Sequence, residues 1–482
     1  MNLQNKKVLV IGAGLSGIGA VKLLTAVGAV PVLYDGNETL KAEEIRIKLS
    51  ESLGANQMPT GAGTRTGALQ ENRAGVPAKT PEGALPEIYT GALPEAVKQE
   101  IALVVPSPGV PVDTDFVQDF SRRGIPVWGE IELAYRYAKG KLAAITGTNG
   151  KTTTTSLTGQ IMEEYYHEVF VVGNIGKPYT ETALLTTEQT VTVAEVSSFQ
   201  LETTERFAPQ VSAILNITPD HLNRHHTMEN YAAVKERIAA NQTKADVCVL
   251  NYEDPYTRVF GERCPAKAVY FSSKRKLDRG IYLDGEDICM ADETGRQRLM
   301  NIHDMNLVGM CNVENVMAAI AISLSMQVPM ERILDTVKRF KAVEHRIEFV
   351  ANKGGVDYYN DSKGTNPDAA IQGIRAMSRP TVLIGGGYDK QSEYDEWIEA
   401  FDGKVKCFVL IGQTADKIEA CARKHGIGNI VRADSFDEAM KQCTAAAVPG
   451  DAVLLSPACA SWGMFPNYEV RGKMFKEYVN SL

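Results

Sequence analysis

Short runs of apolar and β-branched residues recur along the chain, and between them the apolar positions repeat at helical spacing. The first run is KVLVI at Lys7 to Ile11. Gly12, Gly14 and Gly17 follow, then a helical stretch to Val27, then a second run from Val30 to Tyr34 that ends at Asp35. Later runs are Ile101 to Val105, which ends in the turn Ser107-Pro108-Gly109, and Leu142 to Thr146. Beyond these come VVGNIG, VTVAEVSSFQLE, VSAILNITPDH and ADVCVLN, and further on VDYYN, TVLIGGGYDK, KCFVLIG and AVLLSP. Unbroken apolar runs of this length, bounded by turn residues and alternating with helices, predict buried strands of parallel sheets. The expected fold class is therefore α/β, in which ligands gather at the carboxyl ends of the strands.

The pattern divides the chain into three segments, 1–137, 138–343 and 344–482. The first closes after the amphipathic stretch GEIELAYRYAK. A helix is predicted over Val308 to Ser325, with Asn312 and Asn315 at its start, and FKAVEHRIEFV leads from it into the third segment. Residues 54–95 break the rhythm: they are dense in Gly, Ala, Pro and Thr and carry a near-repeat, GALQE at Gly67 and GALPE at Gly83 and Gly91. Such a stretch lacks the periodicity to build a core and is expected to be a flexible surface insertion.

Composition narrows the function classes. With 482 residues the chain exceeds what one core holds. A formal net charge of -8 excludes nucleic acid as a main partner, since a phosphate backbone is held by surplus Lys and Arg. No run predicts membrane insertion, and the glycine-broken N-terminus reads as strand and turn, not as an export signal. The eight cysteines are scattered singly with no C-x-x-C pair, which excludes a disulfide framework and a zinc site and fits a cytoplasmic protein.

The chemistry is concentrated in AITGTNGKTTTT, Ala144 to Thr155. A buried strand runs into Gly147, Thr148, Asn149 and Gly150, whose backbone can fold around phosphate oxygens with its N–H groups pointing inward. Lys151 supplies a point charge for β and γ phosphates, Thr152 a hydroxyl for Mg²⁺, and Thr153 continues the helix. Ile145 stands where the general pattern has its first glycine, so the loop is a shortened variant. ATP is the expected nucleotide. The N-terminal G-x-G-x-x-G, read alone, is either a dinucleotide fingerprint or a close helix–strand turn. With a second phosphate loop in the chain, it points away from NAD and toward ATP plus a nucleotide-carrying substrate.

Taken in order, ITGTNGKTTTT, AEVSSFQLE, NITPDH, EHRIE, NDSKGTNPDA and LSPACASWGMFPNYEVRG resemble the Mur ligase family of ATP-dependent peptidoglycan precursor enzymes. The likeness runs from the first strand to the last helix. LSPACASWGMFPNYEVRG resembles the branch that adds D-glutamate to UDP-N-acetylmuramoyl-L-alanine, and the D-N-P-R motif of another branch is missing. Another member of the same family, or a folylpolyglutamate synthase-like amide ligase that shares the ATP loop, is the alternative. The resemblance implies a Rossmann-like N-terminal domain for the UDP substrate, a central P-loop ATPase-like sheet for ATP and metal, and a Rossmann-like doubly wound C-terminal domain for the amino acid. It implies a monomer.

Residue by residue, the resemblance implies UDP-substrate contacts at Leu15, Ser16, Asp35, Ser107, Pro108 and Gly109, and contacts to the acyl arm at Asn174 and Ser197. Thr152 and Glu195 match positions around one Mg²⁺, and His221 matches a ligand of a second. Lys235 in NYAAVKERI is by spacing a helix-surface lysine. The resemblance implies instead that it is carbamylated, turning a cation into an anion that orients the second metal. Asn312 resembles an adenine contact, Asp361 a ribose contact, and Arg346 a group that reaches ATP phosphate. Lys363 lies with Thr365 in a loop after a strand that suits a dicarboxylic amino acid. Thr365, Lys390, Ser456 and Phe465 match D-glutamate contacts, though Lys390 reads equally as an exposed loop lysine. Lys151, Glu195, His221 and Lys235 form the expected catalytic set.

Overall fold

A computed structural model describes residues 1–54 and 86–482. Most of the expected insertion, including the repeats at Gly67 and Gly83, lies outside the described residues. The third repeat does not: Glu87–Thr90 is a strand, and the GALPE at Gly91 leads directly into a helix, Glu95–Glu100. Within 86–95, residues 87–90 form a strand and residue 95 opens a helix, joined by a short link.

The chain forms two compact units. The first comprises Met1–Ala144, Glu168–Pro209 and His221–Gln242. Its main sheet holds β1 (Lys7–Ile11), β2 (Val30–Asp35), β3 (Glu87–Thr90) and β4 (Ile101–Pro106) in the order β3-β2-β1-β4, all parallel. Leu9, Ile11, Val32, Val104 and Phe120 bury one face of it. Glu132 is fully buried and accepts the backbone N–H groups of Glu205, Arg206 and Phe207 at 2.9–3.0 Å, with Arg136 at 2.6 Å on its other side. The strand β5 (Lys141–Thr146) carries the chain out of this unit, after Ala144. The first unit also contains the parallel pair β6 (Val169–Gly173) and β7 (Val191–Glu195), with Gly173 opposite Glu195.

The second unit comprises Ile145–His167, Gln210–Asp220 and Thr243–Leu482. In it β8 (Val211–Ile214), β9 (Val247–Asn251), β10 (Lys267–Ser272) and β11 (Gly280–Asp284) are parallel neighbours in that order. An antiparallel extension, β12 (Asp287–Asp292) and β13 (Gly295–Asn301), follows. A six-stranded sheet is built from β14 (Glu348–Lys353), β15 (Val356–Asn360), β16 (Thr381–Gly385), β17 (Val405–Leu410), β18 (Ile430–Arg432) and β19 (Ala452–Leu455). Its order is β14-β15-β19-β16-β17-β18, parallel except for the edge strand β14. Apolar clusters around Trp397 and Phe408 on one side, and around Val409, Phe436 and Phe475 on the other, cover both of its faces. This double covering is why its strands read as continuous apolar runs.

Among the described residues no helix is long and apolar enough to cross a membrane. The eight cysteines are free.

Candidate functional site

In the second unit the phosphate loop begins where Thr146 ends β5, its carbonyl accepting Leu215 N–H at 3.0 Å. Gly147 and Gly150 adopt φ of 153° and 83°, and a Cβ on Gly150 would collide with Asn315 Oδ1. Only glycine meets both conditions there. The loop is clipped to the NITPDH segment. Thr148 N–H donates to Asn216 O at 2.9 Å, Asn149 N–H to Asn216 Oδ1 at 2.8 Å, and Thr218 N–H to Thr148 Oγ1 at 3.0 Å. Helix Lys151–Glu163 starts at once, so its first N–H groups face the loop and make an anion site. Lys151 Nζ donates to the carbonyls of Gly147 and Thr148, both at 2.8 Å, which sets its charge across the loop. Thr152 is buried, and Lys363 Nζ donates to its Oγ1 at 3.0 Å.

Beside the loop lies a cavity of about 300 Å³, lined by Asn149, Gly150 and Thr153 at one side and by Asn312, Arg346 and Asp361 at another. Six of the expected nucleotide residues are thereby brought together. Asn312 Nδ2 donates to Val308 O at 2.8 Å and its Oδ1 accepts from Asn315 at 3.1 Å, which fixes both amides at the start of helix Met310–Ser325. Asp361, at the end of β15, is almost fully buried and accepts from Ser456 Oγ at 2.7 Å and Ile347 N–H at 3.3 Å. Burial pushes its carboxyl up to about 6, against the opposing pull of Arg346. Arg346 sits between two residues in the left-handed region, His345 at φ 67° and Ile347 at φ 44°. A β-branched residue there is strained, and its surroundings must hold it. The Asp361 bond to Ile347 N–H does so, together with Asn360 Nδ2 donating to His345 Nδ1 at 2.9 Å.

Several lining residues carried no signal in the sequence. Phe271 closes an apolar wall, and Asp254 caps helix Pro255–Arg263 while accepting Ile217 N–H at 2.7 Å. Asp368 accepts from Thr218 Oγ1 at 2.8 Å and from Asn149 Nδ2, and burial raises its pKa. In sequence it reads only as a first-turn acid of helix Pro367–Arg375, behind the Asn366 cap and Pro367.

The loops after β15, β19 and β16 lie at neighbouring strand ends, so Lys363, Thr365, Ser456 and Lys390 share one edge of the six-stranded sheet. Tyr388 N–H donates to Ala460 O at 2.9 Å, zipping two of these loops together. Lys390 lies 5.4 Å from the Trp462 ring and Lys363 5.6 Å from that of Tyr468. Ser456 directs its hydroxyl to Asp361, toward the nucleotide cavity. Phe465 packs edge-on against Phe436 at 5.2 Å, within the apolar cluster on one sheet face.

In the first unit the glycine turn, Asp35 and Ser107 meet at the carboxyl ends of β1, β2 and β4. Asp35 Oδ2 accepts Ala13 N–H at 2.9 Å, and Ser107 N–H donates to Ile11 O at 2.8 Å. A Cβ on Gly17 would collide with Gly12 O, so the helix can start this close only without a side chain. Leu15 and Ser16 open helix Leu15–Ala26, Leu15 exposed and Ser16 half-buried. Ser107 leads into Pro108 and Gly109, with Val110 N–H donating back to Ser107 O at 2.9 Å.

At the end of β7, Glu195 is buried; its Oε1 accepts Asn174 Nδ2 at 2.7 Å, while its Oε2 is buried without a hydrogen-bond partner. An orphaned buried carboxylate oxygen fits a metal ligand, since it otherwise loses its solvation with no return. Ser197 caps helix Ser198–Leu201, its hydroxyl accepting Gln200 N–H at 3.3 Å. His221 adopts φ 52° at the start of helix Leu222–His225, its ring 4.8 Å from Phe199. Arg224 stacks on the same ring at 4.9 Å and is held by Glu202 and by Val110 O. His225 is buried against Ser198 Oγ at 3.0 Å and is pushed down to about 4 by burial, so it stays neutral.

Lys235 corrects the surface expectation: it is 1% exposed, with Nζ 4.6 Å from the Tyr231 ring. Its helix, Met228–Glu236, buries Tyr231, Ala232 and Lys235, so the face that spacing assigns to solvent is covered. A second group of potential metal ligands, Asp395, Cys421 and His425, is an ion-pair network: Asp395 already accepts Lys424 at 2.8 Å and His425 at 2.9 Å.

Residues 145–323 match the Mur ligase middle domain, and residues 345–459 match the domain described as Mur ligase, glutamate ligase domain. The chain is 57% identical over 482 residues to a UDP-N-acetylmuramoylalanine--D-glutamate ligase of Lachnospira eligens, covering 100% of both chains. It is 52% identical to the ligase of the same name from Lachnoclostridium phytofermentans, over 100% of this chain and 99% of that one, and 43% identical to that of Clostridioides difficile, over 100% of each. Among solved structures, the UDP-N-acetylmuramate-alanine ligase of Thermotoga maritima aligns with a TM-score of 0.58 at 17% identity, over 99% of both chains. The MurF ligase of the same organism, solved with ADP, aligns with a TM-score of 0.55 at 17% identity, over 80% of this chain and 91% of that one. At that identity the likeness is one of fold.

Proposed function

The chain belongs to the Mur ligase family, and from that premise we propose how its residues divide one reaction among them. The reaction is the ATP-dependent joining of D-glutamate to UDP-N-acetylmuramoyl-L-alanine in peptidoglycan precursor synthesis, with ADP and phosphate as products. A carboxylate is a poor electrophile, so the substrate carboxylate first takes the γ-phosphoryl group to give an acyl phosphate. The amine of D-glutamate then attacks that carbonyl, and phosphate leaves with the C–O bonding pair.

The observation that carries the nucleotide assignment is the cavity that opens beside the phosphate loop and ends at Asn312, Arg346 and Asp361. Backbone N–H groups from Gly150 to Thr153, at the start of the helix, receive the phosphates within the loop framed by Gly147, Thr148 and Asn149, Lys151 neutralises the β and γ oxygens, and Arg346 supplies a second cation. Asn312 serves the base and Asp361 the ribose. Thr152, Glu195 and His221 are the proposed Mg²⁺ ligands. Two Mg²⁺ ions, when bound, draw charge from phosphate and acceptor oxygens. Lys235 joins them as a carbamate: its neutral amine adds to CO₂ and loses a proton. Its burial supports this in one respect, since the side chain is not the solvated lysine of an open helix face.

Leu15, Ser16, Asp35 and Ser107 to Gly109 hold the UDP part, where the free N–H groups of a helix start suit pyrophosphate. Asn174 and Ser197 contact the acyl arm. Thr365 and Lys390 hold D-glutamate, with Ser456 acting through Asp361 and Phe465 packing beneath the same edge. Three functional segments, 1–137, 138–343 and 344–482, follow from this division, and we place the enzyme as a monomer in the cytoplasm. Phosphate release measured with each amino acid in turn tests the assignment. D-glutamate should support turnover, and activity with L-alanine alone would refute it.

A further inference from the structure

Asp368 faces a site built for anions. Its Oδ2 accepts from Thr218 Oγ1 at 2.8 Å and from Asn149 Nδ2, and both donors belong to the wall that frames the phosphate loop. Thr218 is itself tied to the loop through Thr148, and Asn149 is the residue before Gly150. The carboxylate therefore lies against loop donors beside the helix start that attracts phosphate. Two anions cannot share one set of donors without strong mutual repulsion. Asp220 adds to the negative charge near Asp368, while Arg375 is the cation that acts on it.

We infer that Asp368 is a positioning residue that occupies the Asn149 and Thr218 donors until a nucleotide phosphate takes them. This rests on the reading of the cavity as the ATP site. Asp368 sits on helix Pro367–Arg375, just after the loop that carries Lys363 and Thr365, and Lys363 reaches Thr152. When phosphate displaces the carboxylate, the start of this helix is released from the loop, and Lys363 and Thr365 move with it. The residue thus sets against each other the affinity for nucleotide and the placement of the groups that meet the amino acid.

The test is calorimetric titration of the full chain with ATP and, separately, with adenosine, for the wild type and for Asp368→Asn. The substitution keeps an acceptor for Thr218 and removes the charge. ATP should bind about tenfold tighter to the variant, adenosine should bind equally to both, and kcat should fall while KM for ATP falls. Equal or weaker ATP binding by the variant overturns the inference, as does an equal gain for adenosine, which would mean that the pocket had simply opened. Failure of the wild type to bind ATP would instead defeat the nucleotide reading itself. Thermal midpoints without nucleotide, and Asp368→Glu as a variant that retains the charge and wild-type-like ATP affinity, separate these outcomes from misfolding.

Discussion

Lys151 bonds to two carbonyls of its own loop, so its ammonium is held where phosphate oxygens arrive and needs no search through rotamers. Lys151→Ala should lower kcat by about a thousandfold or more with an unchanged melting curve, as read by phosphate release. Lys235→Ala should lose roughly a hundredfold in activity and regain part of it on addition of small carboxylates. Normal turnover would remove any role for a carbamate. Asp361 has a folded-state pKa of about 6, above the usual carboxylate range. Its ionisation therefore opposes folding above that pH, and protonation relieves this as the pH falls through 6. Nucleotide binding follows the opposite course: kcat/KM for ATP should fall on the acid side with a midpoint near 6, and Asp361→Asn should abolish that limb. At this scale the sequence was informative where several residue types had to occur together, as in the phosphate loop. It was uninformative for Lys235, whose burial depends on what covers its helix, and for Asp368, which looks like any acid in a first helical turn.

The loops gain their precision from the elements that end in them. Gly150 combines a left-handed φ with a close approach to Asn315. Gly150→Ala should destabilise the chain by about 1–3 kcal/mol and weaken ATP binding, measured by denaturant unfolding and titration. Glu132 organises a different place, gathering three backbone N–H groups and one guanidinium in a buried site. Glu132→Ala should cost about 3–5 kcal/mol in unfolding free energy, since it leaves those buried N–H groups without an acceptor and Arg136 with Glu205 as its remaining carboxylate. Parallel strands such as β1, β7, β16 and β19 could be read from the chain because each is a continuous, buried apolar run, whereas β3, β10, β11 and β18, also parallel, were not read as strands. The antiparallel extension, β12 and β13, and the edge strand β14 were not read either. The exposed positions of β13 and β14 carry residues such as Arg296, Arg298 and Asn352, and half-polar runs of that kind resemble loop sequence.

For the molecule as a whole, the α/β class was legible because strand and helix alternate along its length, and the division into compact units was not. That division follows three-dimensional contacts and cuts across the order of the chain. ATP alone should slow amide exchange at 147–155, 214–218, 310–316 and 345–347, all in the second unit, and leave β1 to β4 unchanged. Protection of β1 to β4 by ATP would contradict the assignment of the N-terminal glycine turn to the UDP substrate. The passage from the first unit to the second inside β5 also sets a timetable for synthesis. When Ala144 leaves the ribosome, the first unit still lacks its last two pieces, which end at Gln242. At bacterial elongation rates the missing stretch of roughly a hundred residues takes about 5–20 s to emerge. For that interval the nascent N-terminal sheet must persist with its neighbours unmade, which makes this stage of translation the time of greatest exposure to chaperones and proteases.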